Sequence, residues 1–196
     1  MSRCLRRSRG WKSPSTPSHS FTPLREEDLA LVRRWLMEPH VRRWWDDGVY
    51  LPYPDAVIEE YRVAIRGEDP TYRYIAHLDD RAAGMFQHYR IADDDEYATA
   101  LALAEDAVGV DLFIGEPDLL GRGNGPELLR AFLREVAFPF HRLDVCVIGP
   151  SVKNAAAIRA YAKAGFRPLR EAVVRGEPDP EYLMRITRAT LDTGSS

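Results

Sequence analysis

Cysteine is nearly absent from the chain, which holds Cys4 and Cys146 and no other. Two thiols make no disulfide framework and sit in no metal-binding spacing. A cytoplasmic, reducing compartment is therefore expected, with Cys146 a small core residue inside an apolar run. No apolar run approaches the roughly 20 residues that span a bilayer, so a helical membrane protein is excluded and no membrane partner is expected. His40, His77, His88 and His141 share no ligand spacing, so no metal is expected either.

Basic charge is scarce outside the first 20 residues. That leader, MSRCLRRSRGWKSPSTPSHS, carries five basic side chains and no acid; the other 176 residues carry 22 basic and 30 acidic ones. An acidic body argues against nucleic acid as a partner and favours a cationic substrate, although acidity also aids solubility. The leader is rich in Arg, Ser and Pro and reads as disordered. It shares composition with a transit peptide but lacks the amphipathic apolar face. The expected organisation is a disordered basic leader over 1–20, one domain over 21–190 and a flexible tail over 191–196, with an apolar fraction of 45% that suits a globular core.

From Phe21 the pattern is regular. A short strand precedes a helix with Leu29, Val32 and Leu36 on one face, and a second helix is predicted around Asp55–Arg66. YRYIAHLDDRAAGMFQHYRI reads as a hairpin turning at Asp79-Asp80. ADDDEYATALALAED is a long connection with an ambiguous interior. Across 107–115, Val108, Val110, Leu112 and Ile114 alternate with Gly109, Asp111 and Phe113. Period-2 alternation puts Asp111 and Phe113 on the face opposite the valine–leucine set. PELLRAFLREV is a helix, RLDVCVIGP a strand, NAAAIRAYAKAGF a helix closed by Gly165, and EYLMRIT a final strand. Strands and helices in this mixed order predict an α/β (α+β) sheet domain.

The stretch DLLGRGNGPELL places Gly121, Gly123 and Gly125 directly before a helix, where backbone can approach a ligand closely. No Lys-Ser/Thr follows, which removes a nucleoside-triphosphate loop. The spacing G-x-G-x-G, past mid-chain and five residues beyond its strand, does not fit a dinucleotide fingerprint. What fits is a loop whose N–H groups at Arg122, Gly123, Asn124 and Gly125 wrap a pyrophosphate at the positive end of the helix. Pro126 is accommodated in its first turn.

With VDLFIGEPDLLGRGNGPELLRAFL, NAAAIRAYAKAGF and the earlier PLREEDLALVRRWL, the chain resembles the GCN5-related N-acetyltransferase (GNAT) superfamily over most of residues 21–187. The resemblance implies a central mixed, mostly antiparallel sheet with a splayed strand pair, flanked by helices. It implies acetyl-CoA as co-substrate, its pantetheine arm lying along Leu112, Phe113 and Ile114 and its pyrophosphate on Arg122–Pro126. Asn154, Ala157, Tyr161 and Lys163 fall on the matching helix segment. Asn154 there bonds the pantetheine or caps its helix, roles that do not exclude one another, and Tyr161 either protonates the leaving thiolate or simply packs.

With DLALVRRWLMEPHVRRWW, the YR…GVD segment and AIRAYAKAGF, the chain is, within the superfamily, most similar to bacterial aminoglycoside 6′-N-acetyltransferases. That implies Asp111, read from the strand alone as either a proton acceptor or a solvated acid, as the base for the acceptor amine, and Glu96 as a substrate ligand. Trp44, Trp45 and Asp47, from RRWWDD, become an acceptor wall or, for the tryptophans, loop anchors. Where those enzymes carry tryptophans and acids after the Glu96 position, this chain has ATALALA, and its acids lie upstream at Asp93, Asp94 and Asp95. Acyltransferases of hydroxamate siderophore assembly share features but usually have His at the Asp111 position. Another small amine, a protein terminus, and a non-catalytic acyl-CoA-binding module complete the alternatives. The expected partner is a small cationic amine, and the expected assembly a monomer or homodimer.

Overall fold

The computed structural model describes residues 18–45 and 53–193. Strand β1 (His19–Pro23) leads through a short 3-10 turn into α1 (Leu29–Leu36), α2 (Pro39–Trp45) and α3 (Asp55–Ile65). The hairpin β2 (Tyr72–Leu78) and β3 (Arg81–Arg90) follows, then α4 (Asp95–Leu101), β4 (Val108–Ile114) and α5 (Asn124–Phe132). A π-helical stretch, Leu133–Ala137, carries α5 into α6 (Phe138–His141). The chain ends with β5 (Val145–Ile148), α7 (Ala155–Ala164), β6 (Arg167–Ala172), β7 (Glu181–Thr187) and α8 (Arg188–Thr193).

The strands form one seven-stranded sheet in the order β1-β2-β3-β4-β5-β7-β6. Every neighbouring pair is antiparallel except β4 with β5. The β2–β3 hairpin turns where expected, with Asp79 and Asp80 both at positive φ, the backbone of a tight primed turn. β1 begins at His19, two residues inside the stretch read as leader. The expected tail at 191–196 begins inside α8, whose Leu191 is 1% exposed in the core. The ambiguous acidic connection folds as α4, capped by Asp94, whose side chain accepts from the Tyr97 N–H at 2.9 Å. β6 escaped the sequence reading because five of its six residues are exposed and show no alternation.

The two faces of the sheet are covered differently, and this positions the site. On one face α5 and α7 pack over Val108, Val110, Cys146, Ile148, Met184 and Ile186, the larger core. On the other, α1–α3 cover Ile75, Met85 and Phe113, while α4 helps to cover a separate small cluster around Leu101, Val145, Val147 and Leu183. Between those two clusters the sheet is left bare. The alternation of β4 holds as predicted: Val108, Val110 and Ile114 face the α5 side, and Phe113 the α1–α3 side.

Candidate active site

β4 and β5 run side by side only at Val108↔Cys146 and Gly109↔Val147, then separate. Beyond Gly109 the free edge of β4 offers its backbone to whatever enters. In an antiparallel ladder successive residues point their N–H and C=O alternately to either side. The Gly115 N–H bonds the Ala83 carbonyl at 2.9 Å, and the Phe113 carbonyl presses on Gly84, where any side chain would collide with it. Phe113 therefore turns its backbone to β3, and its ring packs edge-on against Trp35 and Trp45 in the core. The residues turned to the gap are Val110, Leu112 and Ile114. The Ile114 carbonyl lies 2.9 Å from His40 Nε2. Of the three residues expected along the pantetheine, the gap thus keeps Leu112 and the N–H of Ile114.

The glycine loop is rooted by Glu116, which accepts from Trp35 Nε1 at 2.8 Å and pairs with Arg34 and Arg81. Gly121 and Gly123 have φ of +71° and +88°, which L side chains adopt with strain. Gly125 differs: its φ is not positive and a Cβ there would meet open space. No side chain caps α5, and the Asn124 amide is turned aside to the Leu119 carbonyl. The first N–H groups of α5 are thus left for an anion. Arg122 is exposed and Pro126 lies in the first turn. On α7, Asn154 is the cap, accepting from the Ala157 N–H at 3.1 Å. Ala157 packs on the core, and Lys163 is exposed away from the cleft.

The bare strip of sheet forms a cleft of about 920 Å³. Gln87, Tyr89, Asp111 and Leu112 form its floor. Trp44, Trp45, Tyr61 and Arg73 stand on one side, and Asp93, Asp94, Asp95, Glu96, Tyr97 and Glu181 on the other. Ile148, Gly149, Asn154 and Tyr161 close the end at the splay. The structure thus brings Asp111, Tyr161, Asn154, Leu112, Trp44, Trp45 and Glu96 to one cavity. The glycine loop does not line it, and Asp47 lies outside the described residues. Asp93–Asp95 line the wall together with Glu96, so the upstream shift of acidic residues keeps them on the cavity.

Among the described residues ten carboxylates and two arginines line this cleft. Buried Arg73 answers Glu60 and Asp69 at 2.7 and 3.1 Å, and more exposed pairs join Glu96 to Arg175 and Asp179 to Lys153. The remaining excess of negative charge suits a cation. Asp111 accepts from Gln87 Nε2 at 2.9 Å. Burial nevertheless raises its carboxyl above the ordinary value, against the hydrogen bonds from Gln87 and Tyr89 and the Arg73 charge. Tyr161 is 9% exposed, and burial, helped by the Asp111 charge, holds its phenol protonated. Trp45 is an anchor as well as a wall, its Nε1 donating to the Tyr61 hydroxyl at 2.8 Å. Trp44 stays 39% exposed under the Arg43 guanidinium.

Sequence reasoning missed Gln87, Tyr89, Tyr97 and Glu181. The last left a trace: in EYLMRIT a carboxylate stands in phase with buried Leu183, and Glu181 is itself 9% exposed. No cluster of three His, Cys, Asp or Glu side chains among the described residues could hold a metal, and no described helix is long and apolar enough to cross a membrane.

The family model of the acetyltransferase (GNAT) domain matches residues 25–174. The chain belongs to the GNAT acetyltransferases. It is 28% identical to the aminoglycoside N(6′)-acetyltransferase type 1 of Klebsiella pneumoniae over 91% of this chain and 87% of that protein. The solved structure of AAC(6′)-Ib with ribostamycin and coenzyme A superposes with a TM-score of 0.76 at 26% identity, covering 91% of this chain and 98% of the other. The same enzyme with coenzyme A and kanamycin gives 0.74 at 26% identity, covering 91% and 100%. A spermidine N-acetyltransferase of Vibrio cholerae, 14% identical, shares the fold with a TM-score of 0.65 over 88% and 97% of the two chains.

Proposed function

We propose that this GNAT acetyltransferase transfers the acetyl group of acetyl-CoA to the 6′-amino group of aminoglycosides. The observation that carries the reading is the carboxylate-lined cleft ending at the β4–β5 splay, with Asp111 on its floor and Tyr161 at its end. The relatives that bind aminoglycosides support the choice among cationic amines.

The residues fit a coenzyme A thioester. The unpaired edge at Leu112 can pair with the pantetheine amides, and the uncapped start of α5 with its bare Gly125 can take the pyrophosphate. In the ternary complex the acceptor ammonium gives one proton to Asp111, directly or through water. The freed nitrogen attacks the thioester carbon, whose oxygen the gap-facing backbone N–H groups of β4 can polarise. As the carbon–sulfur bond breaks, Tyr161 donates its proton to the departing thiolate, and the phenolate is restored by the second proton of the new amide nitrogen. The balance is one amide, one thiol and one proton left on Asp111.

The reading is tested by thiol release from acetyl-CoA across a panel of amines. The panel contains aminoglycosides with a 6′-amino or a 6′-hydroxyl group, spermidine and hydroxylysine. Turnover confined to the 6′-amino compounds is expected; equal turnover of 6′-hydroxyl compounds would remove the positional assignment, and preference for spermidine the substrate class.

A further inference from the structure

Two carboxyls meet the cleft from different strands, and two phenols join them. Glu181, at the start of β7, turns its carboxylate into the space over Gly149, where any side chain would collide with it. It accepts from the Tyr97 hydroxyl of α4 at 3.0 Å. The Tyr89 hydroxyl lies within hydrogen-bonding reach of both Tyr97 and Asp111. The Tyr89 ring occupies the place that a side chain at Gly109, directly opposite in the ladder, would fill. Two glycines thus make room for Tyr89 and Glu181, members of one chain, Asp111–Tyr89–Tyr97–Glu181, drawn from β4, β3, α4 and β7.

We propose that Glu181 is a positioning residue that drains, through Tyr89 and Tyr97, the proton Asp111 takes from the acceptor amine. The proposal rests on Asp111 as the acceptor's base. In each turnover Asp111 O–H gives its proton to the Tyr89 oxygen as Tyr89 gives its own to Tyr97, and Tyr97 its own to the ionised Glu181. Each phenol gains one proton and loses one, so no phenolate forms. The last link has the polarity the relay needs, with Tyr97 donating to Glu181; Tyr89, which donates to Asp111 while that group is ionised, turns its hydroxyl to Tyr97 once Asp111 holds the proton. Glu181 then releases the proton to water in the cleft.

The surroundings suit this role. Around Asp111 stand Gln87 and Tyr89 of β3, Arg73 of β2, Cys146 of β5 and Tyr161 of α7. Around Glu181 stand Tyr97, Asp111 and Glu177, with no cation among them. Burial pushes the Glu181 carboxyl up to about 8; the Tyr97 hydrogen bond pulls it back and the Asp111 and Glu177 charges push it further. It is thus a group that takes up and gives off a proton near neutrality, whereas two close carboxylates resist ionising together.

The first test is kinetic. In Glu181→Gln and in Tyr97→Phe, chemistry keeps its base and only the resetting of Asp111 slows. A roughly tenfold fall in kcat with kcat/KM within about threefold is expected, smaller than the 10²–10⁴ of a whole general base. Tyr89→Phe, which keeps the ring on Gly109, repeats the split should Tyr97→Phe fail to fold. Equal losses in kcat and kcat/KM would mark a structural role and overturn the proposal, as would no change in either.

The second test needs no acceptor at all. In protein labelled with ¹³C at its carboxyls, Glu181 is expected to titrate near 8, and measurably lower in Asp111→Asn. A Glu181 that titrates as an ordinary carboxyl, or is blind to Asp111→Asn, overturns the relay even if acetyl transfer is confirmed. Coupling without activity on any amine of the panel leaves the relay standing and discards the acceptor assignment.

Discussion

The end proposed for the acetyl donor and the end proposed for the acceptor are built in opposite ways. The donor end is made of backbone from a contiguous piece of chain: the free edge of β4, the glycine loop and the first turn of α5. The acceptor end is made of side chains from β2, β3, β4, β7 and α2–α4, and from the loops between them. Backbone recognises what every acyl-CoA shares, so it tolerates changes of side chain. A cleft of carboxylates recognises one arrangement of cations and is sensitive to each residue. Substitutions at the two ends are therefore expected to separate the two substrates kinetically.

Asp111→Asn probes the acceptor end most severely. Removing the proton acceptor while keeping the Gln87 and Tyr89 contacts is expected to lower kcat/KM for the amine by roughly 10²–10⁴, with acetyl-CoA binding unchanged by calorimetry. In the unaltered enzyme the same quantity falls as pH drops through the raised value of Asp111. Retention of full activity in the variant would take the base role from this residue.

That residue also marks how far the sequence could be read. Asp111, Tyr161 and the glycine loop were legible because strand alternation and helix spacing are local, and the resemblance to a known superfamily gave them roles. Leu112 kept its expected place by the same alternation, which also turned the Phe113 backbone away. Tyr89, Tyr97 and Glu181 were not legible. Their meeting depends on β7 lying beside β5, on Ser151 bridging to Glu181, and on Gly109 and Gly149 lacking side chains at the points of contact. α4 was ambiguous since a seven-residue helix with Asp94, Asp95 and Glu96 at its start shows little apolar period. The sheet order is a tertiary fact, and no window of sequence contains it.

The two faces of the sheet are expected to differ in how pH affects their stability. On the α5 face His88 is fully buried against Phe132, with Nδ1 2.8 Å from His141 Nε2, and burial, with the His141 charge second, depresses it to about 3. A depressed histidine contributes stability that is present above its unfolded value, near 6.5, and lost as pH falls toward 3. On the cleft face Glu181 is raised to about 8. Its contribution is fully present below the unfolded carboxylate value, near 4.3, and lost as pH rises to about 8. The two slopes, each roughly 1.4 kcal/mol per pH unit, oppose one another between about 4.3 and 6.5, so the unfolding free energy measured from pH 3 to 9 should be level there and fall both below about 4.3 and from about 6.5 to 8. His88→Gln is expected to remove the acid fall and leave stability declining from about 4.3 to 8, and Glu181→Gln to remove the alkaline fall and leave stability rising up to about 6.5. Falls that do not separate in this way would mean that the faces titrate together.

The mildest substitution separates fold from ligand at the donor end. Gly121 and Gly123 have positive φ, so the fold itself accounts for them. Gly125 sits in the first turn of α5 with no positive φ and open space where a side chain would go. Alanine there should stabilise the protein by about 0.5–1 kcal/mol through the smaller entropy of its unfolded chain. If the bare backbone exists to admit a pyrophosphate, the same methyl group should raise the KM for acetyl-CoA several-fold and leave the acceptor KM unchanged. Higher thermal stability with weaker acetyl-CoA binding would show that this glycine is kept for the donor. Higher stability with unchanged binding would move the pyrophosphate off Gly125 and leave the loop to Gly121 and Gly123.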